Sequence, residues 1–268
     1  GTGLLRRYGV RRSTSVACLS KIAAAMSGGH LSKEFFELVK SIGESRSKQE
    51  EDKIIVSEMA ILKSRLNEPQ VAPKKMKEYL VRALYVEMLG HDASFAYIKA
   101  INLTNDRNLI CKKMGYLACN LCLHRDHELM LLLINTIQRD LSSANHLEVC
   151  SALTCISRLV NHEMIPAIFP QILKLMSHTN EAVRKKACMA LHKLYKLQPD
   201  VIQEARDHIR RALCDPDPSV MGSSLHLIHD LAKTNPGSCK DLVPSLVSIL
   251  KQVTEHRLPR DFDYHRMP

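Results

Sequence analysis

The chain of 268 residues contains no tryptophan, and aromatic residues make up only 4% of it. Apolar residues reach 45%, so a core would be built mainly from aliphatic side chains. No apolar run approaches the roughly 20 residues that cross a bilayer, which argues against a membrane-spanning helix. Sustained alternation of apolar and polar residues is also lacking. The sequence therefore predicts helices packed on helices, without strands.

Catalytic and cofactor-binding motifs are lacking as well. The sequence has no phosphate-binding loop and no glycine-rich dinucleotide turn. His162-Glu163 begins like the helix of a zinc peptidase, but the second histidine at the fourth offset is missing. Gly222-Ser-Ser lies within a predicted helix and not after a strand, so it lacks the setting of a nucleophile elbow. We predict no enzyme activity, no catalytic residue and no cofactor.

The nine cysteines are odd in number and irregularly spaced, which argues against a disulfide framework. Reduced thiols packed inside helices of a cytosolic protein are the simpler interpretation. One cluster, Cys119, Cys122, His124 and His127, could in principle bind zinc. Structural zinc sites usually draw their ligands from separate elements, whereas both cysteines fall on one predicted helix. We interpret them as core thiols and predict no metal site.

The formal charge of +10 is unevenly distributed along the chain. Residues 1–30 carry five basic side chains and no acid, so the remaining 238 residues carry only +5. Without a basic stripe interleaved with aromatics, the main part of the chain does not resemble a nucleic-acid binder. We predict that residues 1–30 are a disordered basic leader or a non-native segment upstream of Met26. Their Arg- and Ser-rich composition leaves an organelle transit peptide as the alternative.

A helix pattern repeats in the second half of the chain. Val149, Val183 and Val220 each begin a stretch with small or apolar residues four, seven and eleven positions later. These offsets mark one face of an α-helix, and the spacings of 34 and 37 residues suit a helical hairpin repeat. A single hairpin cannot bury its apolar face, so neighbours stack into a solenoid. The twelve stripe residues are Val149, Leu153, Ile156, Val160, Val183, Ala187, Ala190, Leu194, Val220, Ser224, Leu227 and Leu231.

Helix signals are frequent from residue 32 onward. Ser32 is a candidate N-cap and Gly43 a candidate stop for the first helix. Pro170 should kink or delay its helix. In the second helix Ile55, Met59, Leu62 and Leu66 are predicted on the apolar face. The predicted helices cover residues 32–41, 47–66, 73–90, 94–102, 108–123, 128–141, 147–160, 163–176, 180–195, 199–212, 217–233 and 240–253.

One basic cluster opens the third predicted helix. Lys74, Lys75 and Lys77 crowd its first turn and a half, and Arg82 follows further along. Cations there oppose the helix dipole. A solvated basic face is the simplest interpretation; the functional one is contact with phosphorylated lipid headgroups, to which basic side chains are attracted. We take the three lysines as candidate anionic-lipid contacts.

Lys77–Asp92 and Lys113–Ala118 are two segments with a family likeness. The first is similar to the third-helix region, and the second to the Gly-Tyr-Leu turn, of the adaptins, the large chains of heterotetrameric vesicle-coat adaptor complexes. Three further stretches carry the likeness, namely Asp126–Thr136, Val183–Ala187 and Leu258–Pro268. The resemblance covers about residues 32–268.

The resemblance implies an all-α fold, a curved α-solenoid of stacked helix pairs of the HEAT or armadillo type. Residues 31–268 would form the N-terminal part of an adaptin trunk, truncated at its C-terminus. The implied function is a non-catalytic scaffold that supports cargo sorting from the trans-Golgi network toward endosomes. The implied partners are a beta-type, a medium and a small chain, an Arf-family GTPase and, peripherally, the Golgi membrane, with no nucleic acid. The implied location is the cytoplasm, with peripheral attachment to trans-Golgi and coated-vesicle membranes.

The resemblance is incomplete at the basic cluster. Relatives that bind phosphoinositides through the trunk have three consecutive basic residues before the tyrosine, whereas only Lys77 matches here and Lys74 and Lys75 lie one turn earlier. Two other functions stay open on the sequence. One is an independent helical-repeat scaffold that binds another protein, such as a transport or assembly factor. The other is an organelle-imported helical protein directed by residues 1–30.

Overall fold

The computed structural model describes residues 32–255 and 257, and the leader prediction for residues 1–30 lies outside this part. Twelve α-helices and no strand occur in it, which confirms the all-α prediction. The helices are α1 Lys33–Glu44, α2 Lys48–Leu66, α3 Pro73–Met88, α4 Tyr97–Thr104, α5 Leu109–Cys122, α6 Met130–Leu141, α7 His146–Leu159, α8 Ile165–Leu175, α9 Glu181–Leu197, α10 Ile202–Leu213, α11 Pro218–Thr234 and α12 Val243–Thr254. Short 3-10 turns precede α4, α8, α10 and α12.

Compact packing divides the described residues into two units, one that ends at Thr136 and one that begins at Ile137, with the division inside α6. In the second unit, α9 packs against α7 on one side and α11 on the other. Helix α8 packs on α9, and α10 packs on α11. All twelve stripe residues of the predicted repeat are buried, and the most exposed of them is Leu231 at 9%. The repeat pattern is thus confirmed as the packing surface of α7, α9 and α11.

In the first unit, α3 is the central helix and packs on α2, α4 and α5. Helices α4 and α5 approach closely at Gly115. A Cβ at this position would lie 2.6 Å from the backbone nitrogen of Thr104 and 2.8 Å from the carbonyl oxygen of Ala100. Glycine is therefore required for the contact between these two helices. Gly90 ends α3 with a φ of 96°, a conformation that glycine adopts without strain.

Side-chain caps fix where many of the helices begin. Ser32 and Ser47 accept hydrogen bonds from the third residue that follows each of them, at the starts of α1 and α2. Asn145, Asn180 and Asp217 cap α7, α9 and α11 by accepting from the second residue that follows, and Asn180 and Asp217 also accept from the third. Each cap satisfies backbone donors that the first turn of a helix leaves unpaired. The predicted Ser32 cap is confirmed.

Some local predictions were wrong. Helix α1 continues past Gly43 to Glu44, because its last turn is closed by a hydrogen bond from the Ser45 backbone nitrogen to Ile42. Helix α8 is not delayed by Pro170, since it begins at Ile165 and contains the proline. In α2, Glu58 is buried at 9% exposure while Met59 is only half-buried. The inward face of α2 is therefore turned toward Glu58.

The eight cysteines in the described residues are all free thiols, and six of them are buried. Burial raises the pKa of the Cys155 and Cys188 thiols to about 12, so both are protonated core residues at neutral pH. Across residues 32–255 and 257, no three or more His, Cys, Asp or Glu side chains are grouped to hold a metal ion. None of the described helices has the length and apolar character needed to span a bilayer.

Candidate interaction surfaces

The predicted lysines lie together at the start of α3. Lys74 and Lys75 are exposed and Lys77 is half-buried. Pro73 occupies the first turn, which contains no acidic residue and no side-chain cap. The positive end of the helix dipole and the three ammonium groups therefore reinforce one another. The surface here attracts anions, and the absence of a capping carboxylate leaves that attraction uncompensated within the first turn.

The same cluster influences the start of α5. Lys77 and Lys74 favour the thiolate of Cys111, although burial, the larger effect, raises the pKa of that thiol. Helices α3 and α5 are packed together, and the influence of these lysines on Cys111 indicates that the two N-terminal ends lie close to one another. The cluster is thus a property of two neighbouring helix ends and not of α3 alone.

Arg82, which follows the lysines in the sequence, is not part of this surface. It is only 8% exposed, and its Nη1 lies 3.1 Å from Oε1 of Glu58 on α2. Its guanidinium also lies 5.4 Å from the ring centre of Tyr79, within reach of a cation–π contact. Arg82 therefore ties α2 to α3. Sequence reasoning missed Glu58 as its partner, although Ile55, Glu58 and Leu62 share a helical face.

The Arg82–Glu58 pair forms part of the wall of a groove between α1 and α2. The groove has a volume of about 540 Å³, and its walls include Leu38 and Ile61. Burial raises the pKa of Glu58, and the nearby Arg82 charge partly opposes that shift. The groove thus combines a few apolar side chains with polar and charged ones, and the buried ion pair lies at its side.

Polar side chains link neighbouring helices of the second unit. Lys186 Nζ on α9 donates a hydrogen bond to Thr154 Oγ1 on α7 over 2.7 Å. His192 Nε2 and Lys196 Nζ, also on α9, lie 2.7 and 3.0 Å from Oδ2 of Asp230 on α11. These hydrogen bonds lower the pKa of Asp230 to about 2. No sequence motif identified Asp230, yet its carboxylate binds two side chains of α9 and so links α9 to α11.

Helices that repeat, stack and link their exposed side chains in this way define a helical-repeat protein. Residues 51–263 match the protein family described as the adaptin N terminal region. The match covers more than half of the chain, so the chain belongs to the adaptin family. The resemblance drawn from the sequence is confirmed.

Two relatives of the chain are AP-4 epsilon subunits. The chain is 55% identical over 249 residues to the AP-4 complex subunit epsilon of Arabidopsis thaliana, covering 92% of this chain and 26% of that protein. It is 47% identical over 231 residues to the AP-4 complex subunit epsilon-1 of Homo sapiens, covering 86% of this chain and 20% of that protein. These matches agree with the adaptin likeness of the sequence stretches noted above. The chain thus spans about a quarter or less of the length of these relatives.

Among solved structures, the chain is similar to one in a homology model of the full-length AP-3 complex in an intermediate open conformation. The TM-score is 0.59 at 25% sequence identity, with 68% of this chain and 32% of that chain covered. This likeness confirms the fold class, an all-α helical solenoid.

Proposed function

We propose that the chain is part of the large-chain scaffold of a vesicle-coat adaptor complex of the fourth type and has no catalytic role. The observation that carries this proposal is the 55% identity to an AP-4 epsilon subunit over 92% of the chain. By analogy with that subunit, the partners are a beta-type, a medium and a small chain. The scaffold supports cargo sorting and membrane recruitment in traffic from the trans-Golgi network toward endosomes.

A scaffold role agrees with the physical character of the chain. Its stacked helices bury the repeat stripe and leave charged ridges exposed, which is how a solenoid offers a long surface to partners. Recruitment to the cytoplasmic face of trans-Golgi and vesicle membranes by an Arf-family GTPase is part of the proposal. No nucleic-acid contact is included in it.

The scaffold role is tested by coexpressing the full chain with the small chain of an AP-4 complex. Size-exclusion chromatography and native mass measurement should show a complex with one copy of each. The small chain of an AP-3 complex is the matched control and should bind more weakly. A folded monomer that ignores both small chains would contradict the proposal and favour an independent helical-repeat scaffold.

Lys74, Lys75 and Lys77 are proposed as contacts for anionic lipid. Their support is the uncapped N-terminus of α3 and the lack of an acid in its first turn. Each lysine near an anionic membrane is worth about 1 kcal/mol, so replacing all three by glutamate should abolish vesicle binding. Lys33, Lys40 and Lys53 on α1 and α2 allow a control triple glutamate variant with the same change of charge.

The two variants are compared by cosedimentation with vesicles that contain a phosphorylated inositol lipid. The α3 variant should no longer sediment with them, and the control variant should sediment like the wild type. Equal sedimentation of all three proteins would show that the lysines form only a solvated face.

A further inference from the structure

A second basic surface lies on the outward faces of α7, α9 and α11 in the second unit. We call it the basic strip. Its cations belong to these three stacked helices, and an apolar side chain, Met189, stands among those of α9 with 48% of its surface exposed. The residues of the basic strip are Arg158 on α7, Lys185, Lys186, Met189, His192, Lys193 and Lys196 on α9, and His226, His229, Asp230 and Lys233 on α11.

These residues share one surface because of helix geometry. On α9 they follow one another at three- or four-residue steps, opposite the buried stripe that begins at Val183. Hydrogen bonds and ion pairs between helices hold the exposed faces of α7 and α11 next to that of α9. Lys186 reaches Thr154 on α7, and Lys196 reaches Asp230 on α11. The strip therefore runs across the helices and not only along one of them.

The charge of the basic strip is one-sided. It contains six lysine and arginine side chains and one acid, Asp230, which already contacts His192 and Lys196. Glu181, the first residue of α9, lies outside the strip. Its charge acts on Arg184, which is also outside the strip and is paired with Asp215. Like charges gathered on one face repel each other, so a partner with negative charge relieves that repulsion.

We propose that the basic strip binds an extended acidic segment of a partner protein. Packed helices lie about 8–10 Å apart, and an extended chain in the polyproline II conformation advances about 3.1 Å per residue and brings every third side chain to the same face. Carboxylates at about every third residue would thus meet successive helices, with an apolar side chain between them over Met189. This proposal adds a partner surface to the scaffold role but does not depend on the identity of the complex.

A protein segment fits the strip better than a lipid surface does. The Lys186 ammonium is half-buried and bonded to Thr154, and His192 is bonded to Asp230. The Lys186 ammonium keeps further N–H donors at a fixed position, which suits carboxylates at a fixed spacing. A membrane surface would be met instead by cations on free, extended side chains.

The test uses the full chain and a fluorescein-labelled peptide of about twelve residues, with glutamate at every third position and leucine between. Binding is followed by fluorescence anisotropy at low salt. The variant K185E/K196E/K233E reverses charge on the strip. The control K174E/R211E/K240E makes the same change of charge on α8, α10 and the turn before α12, where all three side chains are exposed.

The strip variant should bind the peptide about tenfold or more weakly, and the control within about twofold of the wild type. A peptide with glutamine in place of glutamate should not bind. Equal weakening by both triple variants would overturn the proposal, because net charge and not this surface would then govern binding. Failure of the wild type to bind the acidic peptide would overturn it as well.

Two further measurements keep the test decisive. If the charge reversal unfolds the protein, as judged by circular dichroism, K185Q/K196Q/K233Q replaces it and should still weaken binding. Vesicles containing phosphatidylserine are tested in parallel with the same proteins. Loss of vesicle binding by the strip variant, with no peptide binding by the wild type, would assign the strip to a membrane and refute a peptide partner. Because none of these readouts involves the small chain, failure here is distinguishable from failure of the scaffold role.

Discussion

Arg184 and Asp215 form a two-pronged ion pair that joins α9 to the turn before α11. Nε of Arg184 lies 2.7 Å from Oδ2 of Asp215, and Nη2 lies 2.9 Å from Oδ1. The same guanidinium donates to the carbonyl oxygens of His178 and Thr179 before α9. Oδ1 of Asp215 in turn accepts from the backbone nitrogen of Asp217, the N-cap of α11. One arginine thus holds the starts of two stacked helices.

Replacing Arg184 by lysine should destabilise the second unit by about 2 kcal/mol, because an ammonium cannot reproduce the planar two-pronged pair or reach both carbonyls. Urea unfolding followed by circular dichroism measures the change. Arg210→Lys is the control, since Arg210 is 52% exposed and its guanidinium is paired with the carboxylate of Asp241, which Arg206 also contacts. Its effect should stay within about 0.5 kcal/mol. Equal effects of the two substitutions would show that the Arg184 geometry is unimportant for stability.

Substitution by alanine should change stability in opposite directions at two helical glycines, Gly115 and Gly222. Gly115→Ala places a Cβ 2.6 Å from backbone atoms of α4 that cannot move aside, and should destabilise the first unit by about 3 kcal/mol or more. Gly222→Ala on α11 meets nothing within 4 Å and should stabilise the second unit by up to about 1 kcal/mol, since alanine favours helices. The melting temperatures of both variants and of the wild type measure these changes. A tolerated Gly115→Ala would mean that α4 and α5 are not in close contact.

The contrast between the repeat stripe and Glu58 shows what sequence periodicity can predict. The stripe was found because its twelve positions carry small or apolar residues, and burial of such residues is what periodicity records. Glu58 has the right spacing for the inward face of α2 but the wrong polarity, so Met59 was chosen instead. The burial of Glu58 depends on Arg82, which comes from a different helix. A pairing between helices leaves no trace in the pattern of either one.

The candidate surfaces show the same limit. Lys74, Lys75 and Lys77 were found because they are adjacent in the sequence, and the structure keeps them together. Arg82 was expected near them but is turned into the core. The basic strip gathers side chains from α7, α9 and α11 that lie far apart in the sequence. Arg184, Lys185 and Lys186 are adjacent in the sequence, yet Arg184 is turned to Asp215 while the two lysines lie on the strip.

The buried pair of Arg82 and Glu58 should respond strongly to removal of one partner. Arg82→Met leaves the Glu58 carboxylate buried without its counter-charge, which should cost about 3–5 kcal/mol at neutral pH. The double variant R82M/E58L removes both charges and should recover most of that loss, because apolar side chains of similar size can fill the space. Urea unfolding of the wild type, both single variants and the double variant measures the coupling. Additive losses would contradict a buried ion pair.

The low pKa of Asp230 predicts how stability depends on acid. Hydrogen bonds from His192 and Lys196 lower that pKa from 3.8 to about 2 in the folded protein. A carboxyl with a lowered pKa contributes stability that is fully present above 3.8 and is lost as the pH falls through about 2. Asp230→Asn removes this contribution at neutral pH.

The melting temperature of the wild type should therefore exceed that of Asp230→Asn at about pH 5, and the difference should shrink steadily toward pH 2. Taking the difference between the two proteins cancels the other acids, which titrate in both. Lys196→Met, which removes only the second of the two donors to Asp230, should show a smaller difference of the same form. A gap between wild type and Asp230→Asn that stays constant over this range would mean that the bonds from α9 do not hold the Asp230 carboxylate.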